Sequence, residues 1–349
     1  MKKEKYQSLD GLRAFSALLI VAAHIVFEPQ YGLVSDSFSK GVIFFGQLVY
    51  LFMILSAFGM CCGYYDRFRN NEIDLNSFYK KRYVRILPFF AILVCIELAY
   101  TIVSQHFALN HATIGAMIES FADLTLAFGL LPNAHHIGIV GVGWFLGLIF
   151  VFYMLFPFFV FLLYNKKRAW TVFAICIVMS WFASTYFSTS EWVSSPNWRD
   201  NIIVSSPFFV GGGILFLFRT EIRNRINIKY RLIFVLFLVA YTVFFFFNSL
   251  YSNVFYVAVL MFLYSIYAIS ENNEKASILN NKIVAYLSNI SFEIYLCHML
   301  FLRVVGLIHI EKFIQNTDLL TVITYILVIS LSIGFASVYK LIEQRCIHR

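Results

Sequence analysis

Charge is scarce in this sequence. Only 13% of its 349 residues are Asp, Glu, Lys or Arg, against roughly 25% in ordinary soluble domains, and mean hydropathy is +0.75. That excludes a conventional water-soluble chain, which at this length would normally fold as two domains. Segments of about ten residues with alternating polarity are missing, which argues against a β-barrel. There is no disulfide framework and no zinc-type spacing. Cys61, Cys62, Cys95, Cys176 and Cys297 fall within or beside apolar runs, and Cys346 is in the C-terminal tail. Internal repeats, low-complexity linkers and an appended soluble domain are absent as well. The first apolar run leads into His24 and Glu28 without a clear small-x-small site, so it does not read as a cleavable signal.

What is abundant is apolar and aromatic: 60% hydrophobic residues, 40 Phe and 21 Tyr. Runs such as LIFVLFLVAYTVFFFF (232–247) carry no charge, and a helix needs about 20 such residues to cross ~30 Å of hydrocarbon. The expectation is an all-α polytopic membrane protein, because a helix satisfies its own backbone groups in lipid. Ten spans are expected, near 12–30, 41–65, 84–104, 142–164, 169–188, 202–218, 232–248, 253–270, 284–308 and 319–341. With the N-terminus inside, the inner segments hold 23 of the 27 Lys and Arg; the outer side keeps Lys40, Arg199, Arg303 and Lys312. This asymmetry follows the positive-inside rule and places both termini in the cytoplasm. The net charge of +8 then reads as topology and contact with anionic lipid, not as nucleic-acid binding. The longest non-spanning stretch, 105–141, includes an amphipathic piece (ATIGAMIESFADLTLAFGLL) suited to the membrane interface or to dipping into the bundle.

Ionisable residues inside spans are the informative ones, since each costs about 2.5–3.5 kcal/mol unless it faces a partner or cavity. Arg13 and His24 are eleven residues apart in the first span, which puts them about 16 Å apart along a helix and within about 20° of one stripe. Asp10 and Gly11 lead into that span, where the acid could cap the helix. In FYKKRYVRILP, Lys80, Lys81, Arg82 and Arg85 precede the third span, with Arg82 and Arg85 on one helical face. Two guanidiniums so placed can grip a phosphate, although residues flanking a span also serve as snorkelling anchors. His298 lies deep in the ninth span, five residues after Glu293. A single intramembrane histidine can also serve only to bond a neighbouring helix's carbonyl, and for His24 alone the two readings weigh equally. His106, His111, His135 and His136 lack carboxylate or Cys companions, and no metal site is expected from them.

Taken together, these segments resemble the acyltransferase-3 family of integral membrane acyltransferases. LDGLRAFSALLIVAAH carries its Arg-x10-His pattern at Arg13 and His24. VYLFMILSAFGM resembles the aromatic second helix with its Leu-Ser-Gly-Phe turn, with Ala57 in the Gly position after Ser56. Arg82, Arg85 and Pro88 match the Arg-x-x-Arg element, and Trp144, Tyr153 and Pro157 the Trp-led span. ISFEIYLCH ends at His298 as the family's Ile-Ser element does. Ile149 stands where many members carry Glu, and Arg345 where a Pro is common after Glu343. The resemblance is to stand-alone members, one transmembrane domain over 1–349 without a fused esterase-like domain.

That resemblance implies a multi-pass protein of a bacterial plasma membrane. It would move an acyl group, most often acetyl from cytoplasmic acetyl-CoA, to a hydroxyl of a saccharide or glycolipid acceptor. Lys81, Arg82 and Arg85, with Arg13, would orient the donor, and His24 would deprotonate the acceptor hydroxyl, since histidine as a residue type titrates near working pH. His298 would position the acceptor or support His24. Direct transfer and an acetyl-enzyme on Ser56 or His24 both remain open. Two rivals stand beside the enzyme. One is a transporter or flippase of lipid-linked saccharide, which would favour paired broken spans; Pro207 with Gly211 to Gly213 is one break without a partner. The other is an inactive scaffold for glycan assembly.

Overall fold

The computed structural model of the protein describes residues 6–33, 36–131, 134, 137–187, 200–226, 228–248, 250, 254–271 and 277–347. In chain order its helices are α1 (Gln7–Phe27), α2 (Asp36–Phe44), α3 (Val49–Arg69), α4 (Leu75–Ser104), α5 (His111–Thr125), α6 (Trp144–Met154) and α7 (Phe156–Leu163). They continue as α8 (Lys166–Phe182), α9 (Ile202–Leu217), α10 (Arg219–Arg225), α11 (Ile228–Phe247), α12 (Val254–Ser270), α13 (Lys282–Leu307) and α14 (Thr317–Ile347). Among the described residues there is no β-strand beyond an isolated bridge between Ser277 and Asn280.

Among the described residues, seven helical stretches are long and apolar enough to cross a membrane, or nine if each of two bent pairs is one span. The remaining expected span, 253–270, is α12, apolar but only 17 residues long. The protein is an all-α polytopic membrane protein. Its outward surface agrees: Leu232, Ile233, Leu236 and Phe237 on α11 are all more than half exposed, an apolar patch that water would not tolerate. Where α6 meets α7 the chain bends by 58°, just ahead of Pro157, which has no N–H to continue the helical ladder.

Several helices start where an Asx side chain accepts from an orphan N–H of the first turn. Asp74 accepts from Ser77 at the head of α4, Asn110 from Thr113 at α5, Asn165 from Lys167 and Arg168 at α8, and Asn281 from Val284 at α13. Asp10 does not cap α1. The helix begins earlier, at Gln7 with Tyr6 as N-cap and no side-chain cap bond. Asp10 therefore sits in the first turn, where its charge suits the positive end of the helix dipole.

The chain divides into two compact units, Met1–Leu55 with Phe218–Arg349, and Ser56–Leu217. In the first, α1, α13 and α14 share a core of Val21, Ile25, Ile290, Ile294, Leu302, Val305, Leu320, Val328 and Ala336. Gly11 lets the 277–280 loop approach: a Cβ there would lie 2.0 Å from the Leu279 carbonyl oxygen. Aromatic contacts, most of them edge-to-face, fill the second unit, and Phe152 stacks on Phe209 at 4.5 Å and 6°. A 3-10 turn, Ala127–Leu130, packs on α6 where Gly129 meets Gly147, and a Cβ on Gly129 would lie 2.0 Å from the Gly147 carbonyl carbon. The amphipathic piece of 105–141 is α5 and this turn. Thr113, Ala116, Ser120 and Asp123 are buried, while Ile114, Met117, Ile118 and Phe121 form an exposed apolar stripe. A stripe at that spacing suits a helix lying in the interface.

Candidate active site

In the first unit, α13 buries Ser291 and the run Glu293 to His298, and packs along α1 with His298 fully enclosed and His24 half-buried. His298 Nε2 lies 2.9 Å from His24 Nδ1, and its Nδ1 lies 2.6 Å from the Tyr295 carbonyl oxygen. The ring centroids are 4.9 Å apart at 29°. A carbonyl oxygen only accepts, so His298 Nδ1 carries the proton there. In the uncharged pair, His298 Nε2 is then the acceptor and His24 Nδ1 the donor. The lone pair of His24 is thereby assigned to Nε2. The tautomer of His24 is thus set by a second histidine, itself fixed by backbone.

Arg13 occupies the same α1 stripe near its N-terminal end, with Nη1 3.4 Å from Asp10 Oδ1. The unbroken helix keeps it about 16 Å from His24 along the axis. On the other side of α13, Glu293 is almost wholly buried and meets Lys340 of α14 at 2.7 Å. Lys340 also reaches Glu343, again at 2.7 Å. The partner of Glu293 was not evident in the sequence, because Lys340 reads there as part of a basic tail.

The basic cluster belongs to the second unit. Arg82 is half-buried, donates to the Tyr64 hydroxyl at 2.8 Å, lies 5.0 Å from that ring's centroid, and approaches Met60 Sδ at 3.5 Å. Lys81 and Arg85 are exposed. The Ser56 and Tyr153 hydroxyls are 2.7 Å apart; a phenol is not the imidazole base that activated serines use. Tyr79 donates to the Met154 carbonyl at the α6–α7 bend, which ties α4 to the Trp-led element. Tyr64 went unnoticed in the sequence because aromatics are everywhere in it.

Asp123, at the end of α5, is fully buried and accepts from the Val140 N–H at 3.2 Å. Burial pushes its carboxyl up to about 7, against the backbone N–H groups of Val140 and Ile139, with Glu119 adding to the rise. Its Oδ1 has no hydrogen-bond partner. Among the described residues no three His, Cys, Asp or Glu gather as a metal site; His135 and His136 lie outside the described residues.

A family model described as an acyltransferase domain matches residues 6–340. The chain belongs to the acyltransferase-3 family. No curated protein and no solved structure matches it. Membership makes the protein a multi-pass membrane acyltransferase. Two of the family's elements, Arg13 to His24 and the segment ending in His298, are the ones joined by the histidine pair in the first unit. The Arg-x-x-Arg and Trp-led elements of the family lie in the second unit.

Proposed function

We propose that the protein is a membrane O-acetyltransferase that uses cytoplasmic acetyl-CoA and a hydroxyl of a cell-surface or lipid-linked saccharide. The observation that supports this most directly is the bond from His298 Nε2 to His24 Nδ1. A sugar hydroxyl is a poor nucleophile, and a base with its lone pair directed by a neighbour is what it needs. His24 Nε2 takes the hydroxyl proton as the oxygen attacks the thioester carbonyl. The carbon–sulfur bond then breaks, acetyl passes to oxygen, and the imidazolium returns its proton to the departing CoA thiolate. His298 is assigned to positioning His24 and sharing its charge, not to holding the acceptor. Lys81, Arg82 and Arg85 are assigned to the donor phosphates, with Arg82 as a half-buried guanidinium already oriented by Tyr64. Arg13 is assigned to the donor as well.

Transfer is written as direct, since Ser56 pairs with a phenol. The test is acetyl-CoA turnover by the purified protein in lipid with a panel of glycan acceptors. Wild type should release CoA only with an acceptor present, and His24→Ala should bind CoA without releasing it. A protein that neither binds nor consumes acetyl-CoA with any acceptor would refute the acetyl donor.

A further inference from the structure

The first unit encloses a cavity of about 410 Å³ between α1, the α2–α3 junction, α11, α12 and the 277–280 loop. Leu12, Phe15, Ser16 and Leu19 form its α1 wall. That stripe lies about 120° around the helix from Arg13 and His24, so the cavity is not the histidine site. Its walls are aliphatic and aromatic except for three hydroxyls, and each of these is engaged within the protein. Ser16 bonds the Leu12 carbonyl, Tyr264 bonds Thr242, and Tyr267 bonds Glu271. Among the described lining residues each hydroxyl thus spends its proton within the protein, and none has a donor left for a polar ligand.

A space of this size falls in the range of ligand pockets, not of packing defects. Water gains nothing in it, because an apolar cavity offers no partners. Its walls on α1, the α2–α3 junction and α11 belong to stretches long and apolar enough to cross the membrane, where the surrounding medium is hydrocarbon. Ile278, 79% exposed, stands on its rim and opens it to the surface.

We propose that this cavity holds one acyl chain of a bilayer phospholipid. The chain restores the dispersion contacts that an empty cavity forfeits and braces α1 against α11 and α12. The inference stands apart from the acetyl-transfer reading and survives its failure.

The test uses full-length protein in phosphatidylcholine–phosphatidylglycerol vesicles that carry a mid-chain diazirine on one acyl chain. After irradiation, adducts are mapped by mass spectrometry. Adducts are expected on residues 12–19 of α1 and 260–267 of α12, besides the exposed face of α11. Val235→Trp, which intrudes into the cavity, should lower the α1 and α12 adducts severalfold while those at Leu232 and Leu236 persist as proof of insertion. The smaller Leu19→Phe change should act in the same direction. Adducts confined to the exposed face in wild type would overturn the proposal, as would cavity adducts indifferent to both substitutions. Added polyprenyl phosphate that displaces the phospholipid adducts would overturn it too, reassigning the cavity to a prenyl chain.

Discussion

His298 reaches His24 across the α1–α13 seam at 2.9 Å while its other nitrogen holds the carbonyl of Tyr295 at 2.6 Å. The two contacts make the pair directional: the backbone sets one ring, and that ring sets the next.

The two histidines should therefore fail differently. His24→Ala removes the base and should lower turnover by about 10²–10⁴-fold. His298→Ala leaves the base but frees its tautomer and orientation, for an expected loss of about 10–100-fold. In both variants the KM for acetyl-CoA should stay within about twofold of wild type, since neither ring is assigned to the donor. Steady-state CoA release at saturating acceptor separates the cases. Equal losses in kcat for the two would mean that His298 touches the reacting atoms.

Arg82 should behave as a preset guanidinium. Arg82→Lys keeps the charge but loses the planar fork and its bond to Tyr64, so CoA affinity should fall about tenfold, or about 1.4 kcal/mol. Tyr64→Phe should weaken binding less, by about two- to threefold. Equilibrium binding of CoA to the detergent-purified protein reads both. Unchanged affinity with a lowered melting temperature would make Arg82 a packing residue of α3 and α4.

Much of this was legible in the sequence because lipid is a demanding solvent. Continuous apolar runs announce helices, and His24, His298 and Glu293 stand out within them because each needs a reason to be there. Partners were not legible. That His298 faces His24, that Glu293 faces Lys340, and that Arg82 is held by Tyr64 are outcomes of helix rotation and packing. Residue spacing on one helix says nothing of the facing helix. The early start of α1 escaped for a related reason: Gln7–Gly11 lacks both an apolar run and a side-chain cap. Asp123 escaped because its burial depends on Gly138 and Val140 approaching the end of α5, which no periodicity encodes.

Lys340 is the counter-charge that makes a buried Glu293 tolerable. Lys340→Ala should destabilise the protein by about 3–5 kcal/mol, because the carboxylate stays behind without its cation. The double replacement Glu293→Leu with Lys340→Met removes both charges and should lie within about 1 kcal/mol of wild type or above it. Thermal unfolding in one detergent compares the three proteins. A double variant as unstable as Lys340→Ala would show that packing at 293 and 340, not charge compensation, sets the effect.

Asp123 should make stability fall as pH rises. Burial holds its carboxyl at about 7 in the folded protein, against about 3.9 in an unfolded chain. Below pH 4 the group is neutral in both states and contributes nothing. Between about 4 and 7 the unfolded chain releases the proton while the folded protein retains it, so the balance shifts progressively toward unfolding; above 7 the penalty is constant. Its size is on the order of 4 kcal/mol, from about three pKa units at 1.36 kcal/mol each. Asp123→Asn keeps an oxygen for the Val140 N–H and cannot ionise. The difference in melting temperature between Asn and Asp proteins should therefore be small at pH 4 and grow in favour of Asn up to pH 8. Taking that difference cancels every other titrating group in the chain. A gap that stays flat over this range would mean that the pocket around Asp123 admits water or a counter-charge, and that Gly138 and Val140 do not seal it.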